Sequence, residues 1–152
     1  MFVQIYLGAL VAGTDAGLVY NTWPLIDGGL VPSPERLWFI SPAWRNLFEN
    51  TLTVQFDHRM LAYTVWLLAM LHLSDAWRLR CELRGAFILA GAVTLQAALG
   101  IVTLLNQAPL VLAFAHQVLA ILVFTIAVLH AQRLSRSASL RAPLPAAREQ
   151  RA

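Results

Sequence analysis

Residues 51–73 read TLTVQFDHRMLAYTVWLLAMLHL, and residues 110–131 read LVLAFAHQVLAILVFTIAVLHA. Each approaches the ~20 apolar residues that a helix needs to cross a bilayer. Residues 85–105, GAFILAGAVTLQAALGIVTLL, form a third stretch of this kind. An earlier apolar run, FVQIYLGALVAG at 2–13, is too short to span unaided at ~1.5 Å rise per residue. It reads as the end of a helix whose beginning is missing.

Composition agrees. Of the 152 residues, 59% are hydrophobic and 12% charged, against about 25% charged in a soluble domain. Mean hydropathy is +0.63. A chain so poor in polar groups is solvated by lipid. The pI of about 9.8 rests on 11 basic residues, all arginine. These cluster at the ends of apolar segments, which argues against nucleic acid as a partner. One cysteine, Cys81, excludes an intrachain disulfide.

The arginines also orient the chain. Arg78, Arg80 and Arg84 lie between the first and second spans, and Arg133, Arg136, Arg141, Arg148 and Arg151 follow the third. With three spans, both groups share one side, and the positive-inside rule makes it the cytoplasm. The opposite side carries a long outer loop, 14–50, rich in Gly and Pro, with Trp23, Trp38 and Trp44 suited to an interfacial belt. Within it, PAWRNLFEN at 42–50 is expected to form a short helix. The expected organisation is a transmembrane bundle over 1–134 and a disordered cytoplasmic tail over 135–152.

Two sequence patterns recur in the same order. Gln4-Ile5-Tyr6-Leu7-Gly8 precedes Phe56-Asp57-His58-Arg59-Met60-Leu61-Ala62. Gln96-Ala97-Ala98-Leu99-Gly100 precedes Phe114-Ala115-His116-Gln117-Val118-Leu119-Ala120. The expected fold is therefore an all-α four-helix transmembrane bundle of two parallel helical-hairpin repeats, with its first helix truncated. Such symmetry sets His58 and His116 facing one another at equal depth.

An ionisable residue inside a span is a functional candidate by default. Two neutral imidazoles at one depth can each give a nitrogen to a haem iron. Two histidines hydrogen-bonded between helices fit the pattern as well. Zinc fits less well, because no third or fourth ligand groups at that depth. His72 and His130 each follow by 14 residues, about 21 Å deeper and near the same face; a second haem or a position at the inner interface would explain them. Arg59 would meet a haem propionate, or pair with Glu49 or Asp57. Gln55, Gln96 and Gln117 are candidates for interhelical hydrogen bonds, and Gly8, Gly91 and Gly100 for close helix approach.

The runs GALVAGTDAGLVYNTWPLIDGGLVP, NLFENTLTVQFDHRMLAY, LQAALGIVTLL and FAHQVLA resemble the haem A synthase family, over roughly residues 4–120. The resemblance implies an eight-helix membrane enzyme of two similar halves that oxidises a methyl group of haem O to the formyl of haem A. This chain corresponds to the C-terminal half. His58 and His116 then match the ligand pair of a b-type haem, with Arg59 beside it. The resemblance does not extend to His72 and His130. It supplies no catalytic residue either, since the family's chemistry is associated with a glutamate near a histidine in the first half. The isolated chain is thus expected to be incomplete and inactive alone. The implied partners are haem O, the N-terminal half, the lipid bilayer, and haem O synthase or a second copy. The implied location is a bacterial inner membrane, with the mitochondrial inner membrane as the alternative. A non-catalytic b-type cytochrome electron-transfer subunit is the competing function.

Overall fold

The computed structural model describes the backbone of residues 1–141 and the side chains of residues 1–137. Among these residues every regular element is helical. Four helices carry the architecture: α1 (Phe2–Gly13), α5 (Thr51–Leu79), α6 (Leu83–Leu105) and α7 (Leu110–Arg141). The outer loop between α1 and α5 holds three one-turn helices, α2 (Ala16–Val19), α3 (Pro34–Leu37) and α4 (Asn46–Glu49). A 3₁₀ turn at Ala43–Arg45 leads into α4, so the short helix expected in 42–50 is present. Arg45 grips Glu49 one turn on through both carboxylate oxygens and holds that carboxyl below the usual carboxylate range.

Helices α6 and α7 are long and apolar enough to cross a membrane. Only 17% and 6% of their apolar stretches are buried within the protein. The core helix of a soluble protein would be mostly covered. Here the outward faces present Phe87, Ile88, Leu95, Ile121 and Leu122, which makes the chain an integral membrane protein. Helix α5 has 29 residues, about 44 Å at ~1.5 Å per residue. That exceeds the ~30 Å hydrocarbon core. Asp57, His58, Arg59 and His72 dilute its apolar character, so this expected span has the length to cross a membrane but not the apolarity of α6 and α7. Helix α7 runs past Leu134 to Arg141, through residues whose Ser- and Arg-rich composition suggested a tail. The rest of that expected tail, 142–152, lies outside the described residues.

Helix α1 packs on α5, α5 on α6 and α6 on α7. Ala69, Val93 and Val123 form a small core from α5, α6 and α7, ringed by Met1, Val65, Met70, Leu89, Ala92 and Leu119. The turn between α6 and α7 is made by Gln107 and Ala108, both left-handed, ahead of Pro109.

The outer loop is held by buried amides. Asn50 caps α5, its Oδ1 accepting from the Leu52 and Thr53 amides at 3.1 and 3.5 Å. Its Nδ2 donates to the Arg36 and Leu37 carbonyls and to Asn46 Oδ1. Asn46, fully buried, donates to the Ile40 and Ala43 carbonyls and accepts from the Ile40 amide. Arg36 pairs with Asp27 across the loop. Replacing Asn50 with Ala is expected to cost about 2 kcal/mol, from the lost cap and the carbonyls left unpaired. Asn50→Asp should recover part of that loss by keeping the cap acceptor. Thermal unfolding in detergent checks this; equal melting temperatures for Asn50→Ala and the parent would contradict it.

Candidate functional site

His58 lies about two turns into α5, and His116 about two turns into α7. Each is gripped by the helix that precedes it. Gln4 Nε2 on α1 meets His58 Nδ1 at 3.1 Å and donates to the His58 carbonyl at 3.0 Å. Gln96 Nε2 on α6 meets His116 Nε2 at 3.3 Å and donates to the His116 carbonyl at 3.1 Å. An amide nitrogen only donates, so the ring nitrogen it meets accepts, as in a neutral imidazole.

One turn after each glutamine stands a glycine. A Cβ at Gly8 would lie 3.2 Å from His58 Cε1, and one at Gly100 would lie 2.8 Å from His116 Cε1. The same glutamine, glycine and histidine contacts therefore occur at both histidines. In each set the amide oxygen, Gln4 Oε1 or Gln96 Oε1, is buried without a hydrogen-bond partner, and so is His116 Nδ1.

The expected close approach at Gly8 and Gly100 and the interhelical bond of Gln96 are thus present. Two related expectations fail. Gly91 has open space where a Cβ would stand, and Gln117 is exposed. Gln55 reaches the outer loop, its Nε2 lying 3.5 Å from the Tyr20 carbonyl.

Arg59, only 6% exposed, pairs with neither Glu49 nor Asp57. Glu49 is taken by Arg45, and Asp57 lies two residues before Arg59, turned from it by about 200° around the helix. The two terminal nitrogens of Arg59 donate instead to the Leu25 and Tyr20 carbonyls, at 3.2 and 2.8 Å. They hold the outer loop against α5, and Nε stays buried and unpaired. A carboxylate at Nε would satisfy it. Trp23 Nε1 donates to Tyr63 Oη at 3.0 Å, a second tie between loop and helix.

His72 and His130 meet directly. Their Nε2 atoms are 2.8 Å apart and their ring centroids 5.0 Å apart. Two metal–nitrogen bonds of about 2 Å each would need those atoms about 4 Å apart. A hydrogen-bonded pair of histidines occupies this level. Gly85 closes the pair from α6: a Cβ there would stand 2.3 Å from His130 Nδ1. Among the described residues, no group of three or more His, Cys, Asp or Glu could hold a metal ion. Gly85 and the loop contacts of Arg59 escape the sequence pattern. Gln4 is visible in it only through the repeat.

Apolar helices with neutral histidines fixed between them define a helical membrane protein with an imidazole site. Residues 1–128 match the family model COX15-CtaA, described as cytochrome oxidase assembly protein. The chain belongs to this family. Relatives named heme A synthase include one from Rhodopseudomonas palustris strain BisA53, 60% identical over 95% of this chain and 41% of its own length. Another, from Bradyrhizobium diazoefficiens, is 62% identical over 88% of this chain and 38% of its own length. A third, from Rhodopseudomonas palustris strain BisB18, is 66% identical over 88% of this chain and 37% of its own length. The chain thus spans about two-fifths of the curated relatives it matches. No solved structure matches it.

Gly85→Ala is expected to break the His72–His130 bond and lower stability by about 1–3 kcal/mol, the usual cost of stranding buried polar groups. Gly91→Ala, with room for its methyl group, should be neutral or gain up to about 1 kcal/mol from helix propensity. Thermal melts of the two variants side by side measure the contrast. Equal stability would refute the tight packing of Gly85 on His130.

Proposed function

We propose that the chain is the C-terminal, cofactor-binding part of a haem A synthase, in which His58 and His116 are the axial ligands of a b-type haem. The observation that carries this reading is the doubled glutamine–glycine–histidine arrangement at one depth on α5 and α7. Neutral imidazoles held by neighbouring helices suit iron, which takes a ring lone pair. The orphaned His116 Nδ1 and the close glycine backbones leave the rings short of partners in a way that a ligand would mend. The relatives' name, heme A synthase, supports the same assignment.

In this reading the four long helices form a bundle of two parallel hairpins, α1–α5 and α6–α7. The recurrence of the same contacts in each hairpin supports it. Arg59 holds the loop over the outer end of the site and offers Nε to a propionate. A bound haem supplies one-electron transfer. His58 and His116 fix its position, Gln4 and Gln96 hold the rings, and the outer loop limits water. Oxidation of the haem O methyl group to formyl would take place in the complete enzyme, with the N-terminal half. No Glu-x-x-His occurs in these spans. Haem O synthase or a second copy of the chain is the expected neighbour in the membrane.

The test is to produce residues 1–152 in bacterial membranes that make haem O, with and without the N-terminal part of a relative, and to extract the haems. Low-spin haem b is expected in the parent. It should be lost in His58→Ala and in His116→Ala and kept in His72→Ala. Haem A is expected only with the partner present. Unchanged haem in both His58→Ala and His116→Ala would sink the ligand assignment. Haem b without haem A even with the partner would make the chain an electron carrier.

For topology, the reading sets α5, α6 and α7 as spans of the bacterial inner membrane, with the 14–50 loop outside and the α5–α6 turn in the cytoplasm. Ser137 Oγ donates to Glu82 Oε1 at 3.2 Å, tying the far end of α7 to that turn. Arg78, Arg80, Arg84, Arg133 and Arg136 thereby gather on one side. An impermeant thiol reagent on intact spheroplasts should spare Cys81 and label Ser33→Cys made in a Cys81→Ser background. Labelling of Cys81 with Ser33→Cys protected would invert the topology.

A further inference from the structure

We infer that Gln4 and Gln96 are positioning residues that set the electron density on the two histidine ligands, each amide oxygen accepting the ring N–H of its histidine when the other ring nitrogen goes to iron. The inference rests on the ligand assignment of His58 and His116.

Three observations converge on the two glutamines. First, each amide nitrogen is anchored on the backbone carbonyl of the histidine it touches, at 3.0 and 3.1 Å. That anchor fixes the amide beside the imidazole whatever the ring does. Second, the amide oxygens, Gln4 Oε1 and Gln96 Oε1, are both buried and both lack a donor. Buried amide oxygens are almost always paired, so the same vacancy in two equivalent places marks a partner that arrives with a change at the ring. Third, Gly8 and Gly100 stand one turn beyond the glutamines, with bare backbone against the Cε1 atoms of the rings. The imidazole is confined between amide and glycine, and its remaining freedom is rotation of the ring in that slot.

Proton counting supplies the rest. A neutral imidazole has one N–H and one lone pair. In this structure Gln4 Nε2 lies 3.1 Å from Nδ1 and 3.4 Å from Nε2 of His58, and Gln96 Nε2 lies 3.3 Å from Nε2 of His116, so in each case the amide nitrogen faces a ring lone pair. Iron needs that lone pair. Once it is given to the metal, the remaining N–H requires an acceptor. The orphaned oxygen belongs to the same small planar amide that already touches the ring. An acceptor on the outer nitrogen raises the basicity of the ligand. A more basic pair of ligands favours ferric over ferrous iron and lowers the midpoint potential. Gln4 and Gln96 would act alike, each on its own histidine.

The test uses the full chain with its haem, purified in detergent, and compares Gln4→Leu, Gln96→Leu, Gln4→Glu and Gln96→Glu with the parent. The readouts are haem content, redox potentiometry and the low-spin electron paramagnetic resonance signal. Each Leu variant should keep haem and shift the midpoint potential upward, with a changed low-spin anisotropy. Each Glu variant, with a stronger acceptor in the same volume, should shift it downward. A merely structural glutamine would move both substitutions the same way or neither. Haem-loaded Leu and Glu variants with parental potentials would overturn the inference, as would shifts of the same sign. If a Leu variant loses haem, the isosteric Glu variant at that position decides by its potential. Haem loss from both would make the glutamine a packing residue and overturn it too. A parent chain without low-spin haem overturns the ligand assignment itself and this inference with it.

Discussion

A polar side chain inside an apolar helix has no water to turn to, so its partner must come from another helix or from its own backbone. Among the described residues, the seams α1–α5, α6–α7, α5–α6 and α5–α7 each carry such a bond. Gln4 joins α1 to His58 on α5, and Gln96 joins α6 to His116 on α7. Trp66 Nε1 on α5 donates to Thr94 Oγ1 on α6 at 3.1 Å. His72 and His130 join α5 to α7. Thr64, Thr94, Thr103 and Thr125 also bond back to the carbonyl one turn earlier and so conceal their hydroxyls. Bonds of this kind are worth roughly 0.6–2 kcal/mol each in a membrane. They are few, but lipid offers no competing hydrophobic drive to bring helices together.

The outer loop obeys the same constraint from the water side. Asn46, Asn50 and Thr53 spend their polar atoms on loop carbonyls between Arg36 and Ala43. Arg59 does the same for Tyr20 and Leu25. Stranding a guanidinium with no carboxylate beside it is costly, and carbonyl dipoles offset that cost only while the loop stays in place. Arg59 follows His58 directly on α5, so the loop's anchor and the first histidine are set by the same turn of helix. Movement of the loop would reach the site through that turn.

Much of this was legible in the sequence. Apolar run length located α5, α6 and α7, because 20 or so apolar residues have few other uses. The recurring Gln-x-x-Leu-Gly and Phe-x-His-x-x-Leu-Ala patterns pointed to both histidines and, through spacing, to Gly8 and Gly100. What escaped were contacts that depend on where a side chain ends. Arg59 reads as a partner for a carboxylate, since charge is all that a sequence shows. It bonds instead to carbonyls 34 and 39 positions away, and backbone acceptors leave no mark in composition. Gly91 and Gly85 are alike as letters, yet only Gly85 has a ring against it. His72 and His130 show a 14-residue offset from His58 and His116, but helical spacing alone cannot separate a ligand pair from a hydrogen-bonded pair. In the structure the two stand as a hydrogen-bonded pair, 2.8 Å apart.

Helix α7 makes the dependence on small and polar residues plainest. Little of its apolar stretch is fully buried, and its packing on the protein centres on Val123 and Leu119. Beside that packing, a pair of glycines on α6, Gly85 and Gly100, admits two imidazoles from α7 to within contact of the backbone. Small residues permit this approach, and dispersion and hydrogen bonds reward it. The histidines therefore help attach the helix. A group bound between His58 and His116 would add a bond between α5 and α7 at the outer level, where the inner level already has His72 on His130. Ligand binding and helix association would then be linked, because whatever binds the assembled state alone stabilises it.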